Sequence, residues 1–451
     1  RSFVRHWCTS GLGKTSRRFL ALMVMNAAHS HHDKTEPPTL HQARAPRILV
    51  VNAGSSSIKC GVYGAERGER VVGMHCDIRA GSCELVTSRG DGSVGSEQVP
   101  LPEAGETAWQ SAVRTVLARG VEVAGGPVIG VGHRIVHGGN EFQEPVVITP
   151  AVLTEIEKLV PLAPLHQPHG LAAIRGTMAC LPDAIQVACF DTAFHAACPP
   201  VALRFAIPRR WHDAGLRRYG FHGLSYESIV ARLPEVAGGL PDRMIVAHLG
   251  AGASLCAIRG GRSVATTMGF TPLDGLVMAT RCGEIDPGAI LHLIRREGLS
   301  PAEVEEMLWR ESGLLGVSAE SGDMRVLLES ENASAAEAVE LFCYRAVREI
   351  GSLTAALGGL DTLVFTAGIG EHAAAIRAEM SRGLEWLGVA IDSRANASHG
   401  PQISLPGSRV AVWVIPTDEE VVIANHTRRL VSRLQGDPSP LQPGRPTASR
   451  P

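Results

Sequence analysis

Ile48-Leu-Val-Val-Asn-Ala-Gly-Ser-Ser-Ser-Ile-Lys59 is the stretch whose reading decides the fold. Four apolar residues predict a short buried strand. It runs into an Asn, a Gly and three serines, then a Lys and a second strand-like piece, Gly61-Val62-Tyr63. Gly54 lets the backbone come close to a ligand, and small hydroxyls beside free N–H groups suit oxygen-rich anions such as phosphate. Alone, the stretch also reads as a β-hairpin with a polar turn. Two later stretches repeat its logic: Met244-Ile-Val-Ala-His-Leu-Gly-Ala-Gly-Ala-Ser254 and Thr362-Leu-Val-Phe-Thr-Ala-Gly-Ile-Gly-Glu-His372. Each is an apolar strand ending in a glycine-rich turn. Three such turns predict convergence on the phosphates and nucleoside of one nucleotide.

The chain has 451 residues, enough for two domains that each bury a full core. Its 45% apolar and 20% charged content are those of an ordinary globular protein. A net charge of −2 gives no reason to expect nucleic acid or an anionic membrane as partner. The 10 cysteines form no Cys-x-x-Cys pair, so they read as reduced thiols of a cytoplasmic protein, without disulfide frame or zinc site. No apolar run approaches the roughly 20 residues of a membrane span.

Residues 1–46 read as a leader outside the fold, disordered or extraneous. It carries five Lys/Arg before its first acid, Asp33, and its Arg17-Arg18 and acid-poor composition resemble export and transit signals. Gly13-Lys14-Thr15 is no P-loop, because Cys8 stands where that motif needs glycine. From Ile48 to about Val146 the pattern is short strands with Gly-rich turns, broken by a helix near 108–118. Thr149-Pro150 predicts a helix start, 171–178 another helix, and Ile185 to Phe190 a strand. Ser300-Pro-Ala-Glu303 predicts a capping box, and 335–356 a long helix. Strands alternating with helices imply α/β layering. The Pro-rich tail after residue 435 is expected to be disordered.

Between these elements lie polar islands: GHRIVHGG (132–139), LAPLHQP (162–168), FDTAFH (190–195), RRYGFHG (217–223), a segment from Met268 containing Thr280-Arg281-Cys282-Gly283-Glu284, and IPTDEE (415–420). With VVNAGSSSIK, HLGAGAS and FTAGIGEH, in this order and spacing, the chain resembles the acetate kinase family from Ile48 to about Leu434. The resemblance implies an α/β fold of two lobes of ribonuclease-H-like, actin-like ATPase topology with a nucleotide cleft between them. The first lobe would span 47–195 plus the returning helix at 419–435, and the second 196–418. It implies reversible transfer of the γ-phosphoryl group of ATP to acetate, giving acetyl phosphate and ADP, with Mg²⁺ (or Mn²⁺ in its place) and a homodimer. By that likeness Asn52 and Glu419 hold the metal, and Lys59 approaches ATP. Arg134 binds the acetate carboxylate, with Val136, Leu165, Phe221 and Pro272 around its methyl. Asp191, His222 and Arg281 are catalytic. His248, Leu249, Gly250, Ala251, Gly252, Asp323, Met324, Arg325, Gly368, Ile369, Gly370, Glu371 and His372 line the nucleotide.

The chemistry suits those residue types. A transferring phosphoryl group spreads charge over its oxygens, so cations and N–H donors supply most of the catalysis. Acetate is already ionised at neutral pH, since such acids have pKa values of roughly 4 to 5. Asp191 is therefore expected to order the metal and its waters, or to fix a neighbouring Arg, not to act as a base. Val136 narrows the pocket towards acetate over propionate. One methylene is worth only about 1–3 kcal/mol, so a propionate or other short-chain fatty acid kinase is the alternative. His133, His137, His166 and His195 read as structural hydrogen-bonders, and Glu284 and Asp286 as structural carboxylates. Ala251, His372, Leu224 and Gln167 depart from the usual family residues. An ATP-switched binding protein of the actin or chaperone kind would leave Arg134, His222 and Arg281 without purpose. A dinucleotide oxidoreductase rests only on Gly368-Ile-Gly-Glu-His-Ala373.

Overall fold

The computed structural model describes residues 45–54, 57–79, 82–90, 92–99, 108–164 and 166–436. The expected leader, apart from 45–46, lies outside them, as do Ser55, Ser56, Leu165 and the tail after 436. Among the described residues the strands form two sheets. The first contains β1 (Arg47–Ala53), β2 (Ser57–Gly64), β3 (Arg70–Arg79), β4 (Ser82–Arg89), β5 (Val94–Val99), β6 (Val128–Ile135), β7 (Val146–Val147) and β8 (Ile185–Phe190), in the order β5-β4-β3-β2-β1-β6-β8-β7. The second contains β9 (Arg243–Leu249), β10 (Ala253–Arg259), β11 (Arg262–Thr266), β12 (Thr362–Thr366) and β13 (Ala411–Val414), in the order β11-β10-β9-β12-β13.

The two sheets share one plan. In each, three strands run as an antiparallel meander, and two more are then added in parallel to the first of them. These sets are β1-β2-β3 with β6 and β8, and β9-β10-β11 with β12 and β13. Without β4, β5 and β7 the first sheet reads 3-2-1-4-5, and so does the second. This is ribonuclease-H-like topology used twice, the two-lobed architecture of actin-like ATPases.

Strand alternation explains how helices cover both faces of the first sheet. Leu49 and Val51 point to the face where Ala112, Val113, Val116 and Leu117 of the helix Ala108–Val123 pack. Ile48 and Val50 point to the other face, against Val422, Ile423 and Val431 of the helix Glu419–Leu434. The second sheet is sandwiched likewise. The long helix Ala333–Leu357 puts Phe342, Ala346, Ile350 and Leu353 against Ile245, Ala247, Leu255 and Phe365. Tyr226, Ile229 and Leu233 of the helix Gly223–Ala237 cover Met244, Val246, Cys256 and Val364.

The local signals act as expected. Thr149 Oγ1 accepts from Val152 N at 3.2 Å, with Pro150 in the first turn of the helix Pro150–Lys158. Ser300 and Glu303 complete the capping box. Asp286 caps the helix Pro287–Arg295, and Glu284 pairs with Arg345 at 2.9 Å. Among the described residues no helix is long and apolar enough to cross a membrane.

Candidate active site

β1, β6 and β8 are parallel neighbours, with Val51 opposite His133 and Ile135 opposite Phe190. Their C-terminal ends therefore deliver Asn52, Arg134 and Asp191 to one place, where open α/β sheets characteristically bind ligands. Arg134 Nε donates to both carboxylate oxygens of Asp191 at 3.0 and 3.1 Å, and its Nη2 donates to Oδ2 at 2.7 Å. Nη1 reaches Asn52 Oδ1 at 3.3 Å, and Nε lies 3.8 Å from Glu419 Oε2. Lys59 stands across the β1–β2 hairpin from Asn52. The opening stretch is thus a hairpin, and its strand end supplies a polar group to this cluster.

Burial pushes the Asp191 carboxyl up, while Arg134 holds it down. Burial would also raise Glu419, but Arg134, His248 and Lys59 outweigh it and leave the carboxyl below its usual range. Arg134 loses by burial and gains more from Asp191 and Glu419, so its cation is stabilised. Among the described residues no group of three His, Cys, Asp or Glu could hold a metal ion. The available hard donors here are the oxygens of Asn52 and Glu419, beside Asp191.

The second sheet brings its own strand ends alongside. His248 registers with Thr366 across β9 and β12, so the two glycine-rich turns lie side by side. A Cβ on Gly250 would sit 3.6 Å from the Ala367 Cβ. Gly252 is a meeting point: a Cβ there would lie 3.4 Å from His222 Nε2 and 3.6 Å from Arg281 Nη1. His222 has φ 58° and ψ 23°, a left-handed conformation at the start of the helix Gly223–Ala237. Such strain persists only where surroundings over-determine it, and it clusters at functional sites. Gly223 N donates to Asp191 O at 2.9 Å, and a Cβ on Gly223 would fall 2.2 Å from that oxygen. Only glycine allows this approach, which ties the His222 turn to the Asp191 strand end.

His222 Nδ1 is 2.9 Å from Ser254 Oγ, and Ser254 Oγ also bonds the Tyr226 hydroxyl. The His222 ring stacks on His248 with centroids 4.1 Å apart, and His248 Nδ1 is 2.8 Å from Ser225 Oγ. Burial, followed by the charges of His248, Arg134 and Arg281, holds His222 well below its usual pKa. Burial takes His248 to about 4. Arg281 donates to Pro272 O at 2.9 Å, and its guanidinium lies 5.5 Å from the Trp309 ring centroid.

A family model described as the Acetokinase family matches residues 47–425. The chain belongs to the acetokinase family. It is 51% identical over 395 residues to an acetate kinase of Rhodopseudomonas palustris (strain TIE-1), a match covering 85% of this chain and 98% of the relative. A solved propionate kinase from Francisella tularensis subsp. tularensis SCHU S4 has TM-score 0.78 at 34% identity, covering 85% of this chain and 99% of its own. Porphyromonas gingivalis acetate kinase has TM-score 0.76 at 36% identity, covering 86% of this chain and 100% of its own.

In this acetokinase-family chain Asn52, Arg134, Asp191 and Glu419 form one contact group, while His222 and Arg281 meet at Gly252. Val136 and Phe221 share an apolar cluster, and Leu165 lies outside the described residues. Met324 and Leu249 are buried in that same core, so their side chains do not line an open surface. Asp323 caps the helix Met324–Glu329 and pairs with the exposed Arg325 at 2.6 Å. The stretch expected as a glycine-rich turn is a short helix, Ala367–His372, and Glu371 Oε1 braces its start by accepting from Ala367 N at 2.8 Å and Thr417 N at 3.3 Å. His372 is largely exposed.

His133, His137 and His195 are buried hydrogen-bonders, bonded to Gln186, Gly139 N and Ser263 respectively. His166 differs. Burial and then the charges of Arg281 and Arg134 lower it to about 4, which places it beside the site. Gln167, where the family departs, grips the backbone of His137 from both sides, accepting at 3.3 Å and donating at 3.0 Å. Ser225, Tyr226, Ser254, Trp309 and His166 were not foreseen as site residues. Each reaches the site through tertiary packing, and only His166, inside a polar island, and Ser254, at the end of a glycine-rich stretch, carried any local signal.

Proposed function

We propose that this chain transfers the γ-phosphoryl group of ATP to acetate, reversibly. What carries the reading is the meeting of His222 and Arg281 over Gly252, within electrostatic reach of the Arg134–Asp191 pair. An acetate oxygen attacks the γ-phosphorus, the bond from phosphorus to the bridging oxygen breaks, and ADP leaves with the electron pair. No proton has to be removed. Arg134, its direction fixed by Asp191, holds the acetate carboxylate, and Val136, Leu165, Phe221 and Pro272 limit the acyl chain. His222 and Arg281 face the charge that builds on the phosphoryl oxygens. The turns at His248–Gly252 and Gly368–His372, with Asp323–Arg325, border the nucleotide, and Lys59 approaches its phosphates.

The oxygen donors of Asn52 and Glu419 fit a hydrated Mg²⁺ or Mn²⁺, which keeps several waters and shares phosphate ligands. When bound, that ion neutralises phosphate charge. The lobes are read as 47–195 with 419–435, and 196–418. The enzyme is read as a cytoplasmic homodimer. The helix Pro287–Arg295, which buries none of its side chains and exposes Leu291, supports a covered face there.

The test is a hydroxamate assay with ATP, Mg²⁺ and acetate, propionate or butyrate. Acetyl hydroxamate should form fastest, and Arg281→Ala should lose at least about 100-fold in turnover. A wild type that prefers propionate moves the assignment to the alternative acid, and one that makes no acyl phosphate refutes it.

A further inference from the structure

We infer that Ser254, itself held by the Tyr226 hydroxyl, is a positioning residue that fixes the tautomer of His222, so that its Nε2 carries the hydrogen and points it into the cleft. The inference deepens the phosphoryl-transfer reading and rests on it for its catalytic meaning. Heavy-atom positions do not reveal which imidazole nitrogen is protonated, so the hydrogen-bond network has to decide.

The chain has three members: His222 Nδ1, Ser254 Oγ and the Tyr226 hydroxyl. If Ser254 accepted from both neighbours, its own buried hydrogen would have no acceptor among the described residues, which leaves two directions. If His222 Nδ1–H donated to Ser254, Ser254 would donate to Tyr226, and the Tyr226 hydrogen would need another acceptor. Among the described residues Ser254 is the only hydrogen-bond partner of that hydroxyl, and Tyr226 is 0% exposed. That direction strands a buried donor, which is the costly half of hydrogen-bond energetics. In the other direction Tyr226 donates to Ser254 and Ser254 donates to Nδ1, and every group is satisfied. Nδ1 is then an acceptor and Nε2 carries the hydrogen.

Nε2 is also the ring nitrogen that faces Gly252, where an added Cβ would lie 3.4 Å from it and 3.6 Å from Arg281 Nη1. The opposite tautomer would aim a lone pair at the same place and repel an anionic phosphoryl group. Burial and neighbouring cations keep the ring neutral, so its tautomer is not overridden by protonation at neutral pH. The stacked His248 is held in parallel fashion, with Ser225 at its Nδ1. The first turn of the helix Gly223–Ala237 therefore supplies Ser225 and Tyr226 to two adjacent imidazoles.

The experiment uses the full chain with ¹⁵N-labelled histidine, assigning His222 by its loss in His222→Gln. Two-bond ¹H–¹⁵N spectra of the wild type should show the Nε2–H tautomer. Ser254→Ala removes the only group among the described residues that donates to Nδ1, so the Nδ1–H form should appear. Turnover should then fall about tenfold, with KM for ATP and acetate within about twofold. Tyr226→Phe leaves Ser254 able to donate to Nδ1 and should keep the Nε2–H form, and if Ser254→Ala does not fold, Tyr226→Phe is read alone. An Nδ1–H wild type overturns the inference. So does a Ser254→Ala protein that keeps Nε2–H, or a Tyr226→Phe protein that shifts to Nδ1–H, whether or not turnover falls. The spectra are independent of catalysis, so a wild type with no acetate kinase activity would sink the function while the tautomer is still read.

Discussion

Replacing Asp191 with Asn isolates the pair at the centre of the site. The Asp191 side chain is 2% exposed and the Arg134 side chain 23%, so water offers little compensation. Three N–H contacts of Arg134 fall on the carboxylate. An asparagine can present one oxygen to Nε or Nη2, and its amide group then faces the other donor. One charge-assisted bond is lost, worth about 1.5–3 kcal/mol, and a donor–donor contact replaces it. Removing one partner of a buried pair costs about 3–5 kcal/mol in all. The remaining carboxylate, Glu419 at 3.8 Å, is too far to hold the guanidinium in the same direction.

If Arg134 orients acetate, a misalignment worth about 2–3 kcal/mol lowers kcat/KM for acetate by about 30- to 150-fold, since each tenfold is about 1.36 kcal/mol. Initial rates over acetate, ATP and Mg²⁺ concentrations, with a urea titration beside them, measure both costs. Apparent metal affinity weakens as well if Asp191 also orders the water around the cation. A loss confined to acetate terms places its role on Arg134 alone. A variant with kcat/KM for acetate within threefold of wild type and an unchanged urea midpoint refutes the reasoning.

Val136→Ala widens the acyl pocket and should shift the propionate-to-acetate ratio of kcat/KM by about fivefold or more, within the roughly 1–3 kcal/mol that a methylene is worth. An unchanged ratio removes Val136 from that wall. Gly252→Ala meets only ordinary contacts, at 3.4 Å from His222 and 3.6 Å from Arg281. It should fold normally yet lose about 10-fold or more in turnover, because the methyl fills the space where the two groups converge. Wild-type rates in that variant would show that the space is idle. Stability should fall between pH 7 and pH 5. Burial lowers His133, His137 and His195 to about 4, from an unfolded value near 6.5. Their stabilising contribution is present above pH 6.5 and drains away as pH drops towards 4, by about 2 kcal/mol each at pH 5. Glu349 and Glu420, which burial raises, work in the opposite sense and offset part of the slope. Urea midpoints that stay flat from pH 7 to pH 5 would contradict the assignment.

Much of this architecture was legible because its signals are local. β8 spans the run read as a strand, Ile185–Phe190, and the helix starts at Thr149 and Ser300 carry their caps in sequence. The helix Gly223–Ala237 was not foreseen, and the reason is physical. Its N-cap is His222 in a left-handed conformation with no side-chain cap bond, so the usual start signal is missing. The residues that touch catalytic groups from a distance in sequence were equally hidden. Trp309 sits at the end of the helix Pro301–Arg310 and meets Arg281 only through folding. Ser254 looks like one more small residue in a glycine-rich turn until β10 pairs with β9 and sets it opposite His248.

The unforeseen helix also explains why the two sheets cannot place their chemistry independently. Its Leu224 packs with Ile48, Val50 and Val187 on the first sheet and with Ile423 of the helix Glu419–Leu434, while Tyr226, Ile229 and Leu233 pack with Met244, Val246 and Cys256 on the second. The same first turn fixes His222 from three sides. His195 Nε2 lies 2.9 Å from Phe221 O, Gly223 N bonds Asp191 O, and Ser254 meets Nδ1. A left-handed non-glycine residue costs on the order of 1–3 kcal/mol and would relax if any one anchor were weak. The strand end bearing Asp191 and the sheet bearing Ser254 both anchor this turn. The His222 imidazole and the Arg134 guanidinium, proposed to face the phosphoryl group and acetate, are therefore tied to one shared joint, and a shift of either sheet at that joint would separate them.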